Sequence, residues 1–340
     1  MNRPQGAIRS AGEIRTEPVR KRKGKRLMIW ACILFALVAF ATINNNWIQV
    51  DPFTLPIQGL PQALDGLKIV HLSDIHLPKN AGTLPRLIQL VADQSPDLIL
   101  ITGDWVDRSA DVLACGLLEM SEGLAAIAPT YAVTGNHEME NRNPAAWKAV
   151  LQKSGVHIID NTYAVFEKQG QSLALMGLAN GVPYAPERFT QIERIADLPR
   201  ILLAHHPELW PTYSAQSYEI RPHLVLSGHA HGGQIRLPWI GGLLAPNQGF
   251  FPRYASGQYS ADNGTHMIVS RGLGNSIFPL RVFNRPHLPV ITLKSKEYEN
   301  GLGDTDEHQR CPHLHPGLKK IPRPLPGYRA AHPDRGMGAA

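Results

Sequence analysis

Leu98-Ile99-Leu100-Ile101-Thr102-Gly103-Asp104-Trp105-Val106-Asp107 is the stretch on which the fold turns. A short, fully apolar run of this kind suits a strand in a sheet covered on both faces. It delivers Gly103 and Asp104 at its C-terminal end, where an open α/β sheet places its ligands. Glycine lets the backbone turn closely beside the carboxylate, and a carboxylate has two oxygens with which to bridge two cations. Asp107, three residues on, reads either as a group that orients a ligand imidazole or as a plain surface aspartate.

Outward from this stretch the same arrangement recurs. Leu67 to Leu72 reads as a strand ending at Asp74-Ile75-His76, where side chains two apart point the same way and can reach one metal. Tyr131-Ala132-Val133 opens onto Gly135-Asn136-His137-Glu138. An amide is a poor ligand alone, so Asn136 needs stronger partners. His137 is then available to protonate a leaving oxygen or to stabilise charge on a phosphate, and Glu138 is either part of the site or a loop residue. Ile201 to Ala204 runs into His205-His206-Pro207, of which His205 directly follows the apolar run and is preferred. Leu224 to Leu226 runs into Gly228-His229-Ala230-His231, again with two imidazoles two apart.

The intervening segments complete an α/β pattern. Leu84 to Gln94 has a helical apolar period, Ala110 to Ala126 reads as a helix, and Asn143-Pro144 is a helix start with Asn as cap. Leu173 to Leu178, Met267 to Ser270 and Val290 to Leu293 read as further strands. The five blocks supply carboxylates, imidazoles and an amide, a ligand set suited to Mn, Fe, Zn or a mixed pair. They point to a dinuclear metal hydrolase. Arg271, in Ser270-Arg271-Gly272-Leu273-Gly274, could clamp a phosphate or sit in an ordinary tight turn. Its glycine spacing is not a dinucleotide fingerprint.

The chain has 340 residues and a formal charge of +6, but residues 1–26 alone carry +7, which leaves the rest at −1. The basic character belongs to the arm, so no nucleic-acid partner is expected. Cys32, Cys115 and Cys311 lie far apart without a C-x-x-C pattern, which argues against a disulfide framework. After the basic arm of residues 1–26, Leu27 to Ile43 is an uncharged apolar run read as a transmembrane anchor, with a cleaved signal peptide ending at Ala39-Phe40-Ala41 as the other reading. The positive-inside rule then keeps the N-terminus in the cytoplasm of a single-pass protein of the inner membrane and sends the catalytic body to the extracytoplasmic side. Residues 44–66 read as a Pro- and Gly-punctuated linker, 67–295 as the catalytic domain, and 296–340 as a disordered tail holding His308, Cys311, His313 and His315.

The ordered series Asp74-x-His76, Gly103-Asp104-x-x-Asp107, Gly135-Asn136-His137-Glu138, His205 and Gly228-His229-x-His231 resembles the calcineurin-like metallophosphoesterase superfamily. Gly228-His229-Ala230-His231-Gly232-Gly233-Gln234 and Ser270-Arg271-Gly272-Leu273-Gly274-Asn275-Ser276 are similar to its bacterial membrane-associated branch of small phosphodiesterases, which includes enzymes like UDP-2,3-diacylglucosamine pyrophosphatase. The resemblance covers residues 67–295. It implies two mixed β-sheets packed face to face with helices outside. It also implies one metal held by Asp74, His76 and His231, a second held by Asn136, His205 and His229, Asp104 between them, and His137 as the catalytic histidine. The expected activity is hydrolysis of a phosphodiester or pyrophosphate bond, in a substrate that could be lipid-linked, through attack by a metal-bound hydroxide. A pyrophosphatase of lipid A biosynthesis is one alternative, although its UDP-linked substrate belongs in the cytoplasm. A non-catalytic membrane-tethered scaffold is the other, and the complete ligand set speaks against it.

Overall fold

The computed structural model describes residues 20–77, 84–275 and 280–296. Helix α1 (Arg20–Asn46) leads into strand β1 (Gln49–Gln58), β2 (Lys68–Leu72), α2 (Leu84–Ala92), β3 (Leu98–Ile101), α3 (Leu117–Ala125), β4 (Thr130–Ala132), α4 (Asn136–Glu140), α5 (Pro144–Lys153) and β5 (His157–Ile158). The second half runs β6 (Thr162–Lys168), β7 (Gln171–Gly177), β8 (Arg200–Leu203), α6 (Trp210–Tyr213) and β9 (Leu224–Ser227). Two short hairpins follow, β10 (Arg236–Leu237) with β11 (Gly241–Gly242) and β12 (Leu244–Ala245) with β13 (Gly249–Phe250). The described chain closes with β14 (Gly257–Ser260), β15 (His266–Val269) and β16 (His287–Lys296).

Two six-stranded mixed sheets result, in the orders β1-β16-β2-β3-β4-β5 and β14-β15-β9-β8-β7-β6. The period of two along each strand decides what each face meets. In β3, Leu98 and Leu100 face the second sheet and pack with Leu173, Leu175, Ile201 and Leu203. Ile99 and Ile101 turn to the helices, against Leu87, Leu124, Trp147 and Leu151. On the far side of the second sheet, Met176, Leu202 and Val225 pack against Tyr184, Trp210 and Tyr213. The fold is therefore the expected α/β sandwich of mixed sheets flanked by helices. Strands β2, β3, β4, β8 and β9 all end where the metal-type residues begin.

Three segments differ from their sequence reading. Residues 44–66, read as linker, contain β1, which pairs in parallel with β16 along its whole length, from Gln49 opposite His287 to Gln58 opposite Lys296. Its Pro52 and Pro56 are tolerated because β1 is an edge strand, whose outer side needs no N–H donor. Leu55 and Ile57 from this strand enter the core between the sheets. Helix α3 begins at Leu117, not Ala110: the Asp111 carboxylate accepts the Leu113 N–H (3.0 Å), a turn that competes with the helix, and Gly116 holds φ at 83°. Helix α1 exceeds 27–43. Its segment Gly24–Asn46 has 23 residues, about 35 Å at 1.5 Å per residue, long and apolar enough to cross a membrane. By contrast α5 starts as read, with Asn143 Oδ1 accepting the Ala146 N–H at 3.1 Å. Residues 1–19 and 297–340, with most of the basic arm and nearly all of the tail, lie outside the described residues.

Candidate metal centre

The loops after β2 and β3 interlock first. Asp74 N–H donates to the Gly103 carbonyl (3.1 Å) and Ile75 N–H to the Asp104 carbonyl (2.8 Å). Gly103 faces Gly135 so closely that a Cβ on either would collide, the first with the Gly135 backbone and the second with the Asp104 carboxylate. Five of the candidate ligand residues, Asp74, His76, Asp104, His229 and His231, hold φ between 46° and 64°. This left-handed region is unfavourable for residues with a Cβ, and such residues cluster where a site over-determines the backbone.

Two buried groups of donors converge there. In the first, Asp74, His76 and His231 come together: His231 Nε2 lies 3.4 Å from Asp74 Oδ1, and the two Nε2 atoms face each other at 3.2 Å. In the second, Asp104, His205 and His229 come together, with His205 Nε2 3.3 Å from Asp104 Oδ2, 3.2 Å from His229 Nδ1 and 3.2 Å from Asn136 Oδ1. Asp104 Oδ2 also lies 3.8 Å from His76 Nε2, so this one oxygen faces both groups. Its Oδ1 is held by the His137 N–H (2.8 Å).

These spacings fit a pair of cations. Donors about 2.0–2.2 Å from a shared ion, 90–110° apart, stand roughly 3–3.5 Å from each other. Ring nitrogens that face one another at 3.2 Å are opposed lone pairs unless a proton or an ion lies between them. His205 Nδ1–H donates to the Thr102 carbonyl (2.7 Å), which fixes the tautomer and leaves Nε2 for the centre. The buried carboxylates also make this a place that favours positive charge. Burial, with Asp104 beside it, pushes the Asp74 carboxyl up to about 6. Burial opposes charge on His205, yet the Asp104 and Asp74 carboxylates outweigh it and push the ring up to about 10. Burial lowers His229 to about 3 and His231 well below the ordinary range, leaving both rings neutral, as ligation requires.

The remaining predicted residues fall around this pair. The His137 ring packs edge-on against His76, with centroids 4.3 Å apart. Its Nδ1 accepts the Arg108 N–H (3.1 Å) and lies 3.7 Å from Asp107 Oδ2, while Nε2 lies 3.1 Å from Nη2 of the Arg108 guanidinium. His206 sits beside His229, with ring centroids 4.2 Å apart, and its nitrogens are taken up elsewhere: Nδ1 lies 2.8 Å from Glu208 Oε1 and Nε2 2.6 Å from Asn180 Oδ1. The structure turns the Arg271 guanidinium toward β1 and not toward the donor atoms: it donates to Gln49 Oε1 (3.0 Å) and lies 4.0 Å from Asp51 Oδ2.

Two functional residues were not legible as such. Glu138, left open by the sequence, is fully buried and accepts three backbone N–H groups, from Asp104 (2.9 Å), Gly135 (2.8 Å) and Val106 (3.1 Å). It clamps the Asp104 loop to the Asn136 loop. Glu138 accepting the N–H three residues before it is the acidic half of a capping box, and that spacing could have found it, although Gly135 has no side chain to supply the other half. Asn247, between β12 and β13, donates to Glu208 Oε1 (2.8 Å) while the same amide nitrogen lies 3.2 Å from His229 Nε2. Nothing in its local sequence marks it.

Residues 67–233 match the family model described as calcineurin-like phosphoesterase. The chain is 30% identical to the metallophosphoesterase YkuE of Bacillus subtilis (strain 168) over 258 residues, 74% of this chain and 88% of that one. It is 32% identical to the transmembrane protein with metallophosphoesterase domain of Danio rerio (85% of this chain, 67% of that one). It is 30% identical to phosphodiesterase YaeI of Escherichia coli (strain K12), across 66% of this chain and 82% of that one. The chain belongs to the calcineurin-like phosphoesterase family, and it is a metal-dependent phosphoesterase.

Proposed function

We propose that this protein is a membrane-anchored phosphodiesterase whose two divalent cations are held by Asp74, His76 and His231 and by Asn136, His205 and His229, with Asp104 shared. The observation that carries this reading is Asp104 Oδ2, one oxygen facing both donor groups. Such a metal pair, when bound, polarises phosphoryl oxygens and lowers the pKa of water enough to supply hydroxide at neutral pH. The chain's own residues do the rest. Asn136 and the imidazoles set the spacing of the donors, and Glu138 fixes the loops that carry them. His137, packed against His76, is assigned the protonation of the leaving oxygen, with Asp107 and Arg108 flanking its ring.

A phosphodiester or pyrophosphate bond is the proposed target, supported by the likeness to phosphodiesterase YaeI. Anchoring through α1, with the arm in the cytoplasm and the body across the inner membrane, is supported by the helix length and by the +7 arm. The narrower reading as a lipid A pyrophosphatase has no observation in the site that favours it.

The test uses the full chain in detergent, stripped with EDTA and then given Mn, Zn or Mg. Metal-restored hydrolysis of a bis-aryl phosphodiester should exceed that of the aryl monoester. It should fall at least about 100-fold in Asp104→Asn and His229→Ala. A folded protein inactive with every metal would sink the enzymatic reading and revive the scaffold.

A further inference from the structure

Besides the exposed flank of α1, the described residues leave a second set of apolar side chains without cover. Trp239 is fully exposed, Phe250 is 71% exposed, and Ile240, Phe251, Leu280 and Phe283 are exposed as well. Trp239, Ile240 and Phe283 line one open groove of about 450 Å³. Isolated exposed apolar residues are ordinary on a soluble surface, but a groove whose walls are exposed apolar side chains marks an interaction surface.

What covers it follows from its neighbour. The loop that carries Phe283 is fastened to the end of α1. Asn45 Oδ1 accepts the Arg281 N–H (2.8 Å), and Asn44 Oδ1 accepts the Asn284 N–H (3.2 Å). Phe283 packs edge-on against Phe40 of α1, with centroids 4.9 Å apart. The Arg285 guanidinium lies 5.2 Å over the Trp47 ring. The same loop is bridged to the first hairpin, Val282 to Ile235. Phe40 lies six residues inside the C-terminal end of α1, about 9 Å along the axis, so a span through α1 places Phe283 at the edge of the hydrocarbon.

Charge agrees with this placement. From Gly232 to Ala261 the chain carries Arg236 and Arg253 and no acidic residue, and Arg285 stands over Trp47 at the end of α1. Tryptophan, phenylalanine and leucine among basic residues form the composition that seats a protein in a lipid interface.

We infer that the hairpin lobe of residues 236–251, with Leu280 and Phe283, lies in the surface of the bilayer that α1 crosses. This rests on the anchored reading of α1. The lobe also reaches the metal centre. Asn247, three residues from Phe250, contacts His229, and Asn284 Nδ2 donates to the His231 carbonyl (2.8 Å). The bilayer surface therefore becomes a wall of the site's approach, and α1 with the lobe gives the catalytic body two points of attachment and a fixed tilt.

The test uses the full chain in vesicles of phosphatidylethanolamine and phosphatidylglycerol, with Cys32→Ala and Cys311→Ala to clear reactive thiols and the buried Cys115 retained. A fluorophore is attached in turn at Ile240→Cys, Phe250→Cys, Leu34→Cys in α1, and Leu113→Cys, which is 77% exposed before α3. Quenching by brominated phospholipid is read. Labels at 240 and 250 should be quenched several-fold more than the label at 113. Lobe labels no more quenched than position 113, while position 34 is quenched, overturn the docking and leave the anchor standing; a protein partner or a second copy then covers the patch. An unquenched label at position 34 overturns the anchored reading and this inference with it. Neither outcome touches the metal-dependent activity, which is measured separately.

Discussion

Glu138 does at the residue scale what no ligand can do for itself. Its carboxylate gathers the N–H of Asp104, 34 positions before it, and that of Gly135 on its own loop, so the shared oxygen of Asp104 and the amide of Asn136 keep a common frame. In Glu138→Gln one oxygen becomes an NH2 group that must face a backbone donor. The expected result is a loss of roughly 10–100-fold in diesterase rate, together with a lower metal content per chain. Elemental analysis and kinetics on the purified variant check it, and unchanged metal content would show that the loops hold themselves. The ligand blocks were legible because each follows an apolar run that the sheet buries. That logic preferred His205, which directly follows its run, without excluding the adjacent His206. The contact of His205 Nδ1 with the Thr102 carbonyl, 103 residues distant, separates them, and no local spacing encodes it.

At the scale of the element, β1 shows why composition misleads. Pro52 and Pro56 are punctuation in a linker, but they are equally at home on a sheet edge. Only the partner strand distinguishes the two cases. Leu55 is wholly buried between the sheets, so Leu55→Ala should destabilise the protein by about 2–5 kcal/mol. A surface linker leucine would shift stability by about 0.5 kcal/mol or less. Urea unfolding of the full chain in detergent, followed by fluorescence of buried Trp105 and Trp147, reads the difference. The hairpin lobe was illegible for a related reason. Its strands are two residues long, too short for any period to emerge, and its Gly and Pro content is that of a loop.

For the whole molecule the buried histidines set the response to acid. Burial lowers His71 to about 3, His223 to about 4 and His287 to about 4, against an ordinary value of 6.5. As pH falls below 6.5 the unfolded chain takes up these protons, whereas the folded chain resists until near 4. Stability is therefore full above 6.5 and is lost as pH falls toward 4, at up to about 1.4 kcal/mol per pH unit for each histidine. Urea midpoints measured in EDTA across this window should fall steadily. A flat midpoint would mean that the rings are charged in the native state.

The pairing of β1 with β16 has one more consequence, for the order in which the protein is made. Gln49 lies opposite His287, so the first strand to leave the ribosome after α1 waits for almost the last. Until then the slot beside β2 is vacant and a sheet edge stands open. Contacts this distant along the chain close slowly. The nascent enzyme must therefore be protected from pairing with its neighbours until synthesis ends, and a chain cut short before residue 287 is a natural target for proteolysis.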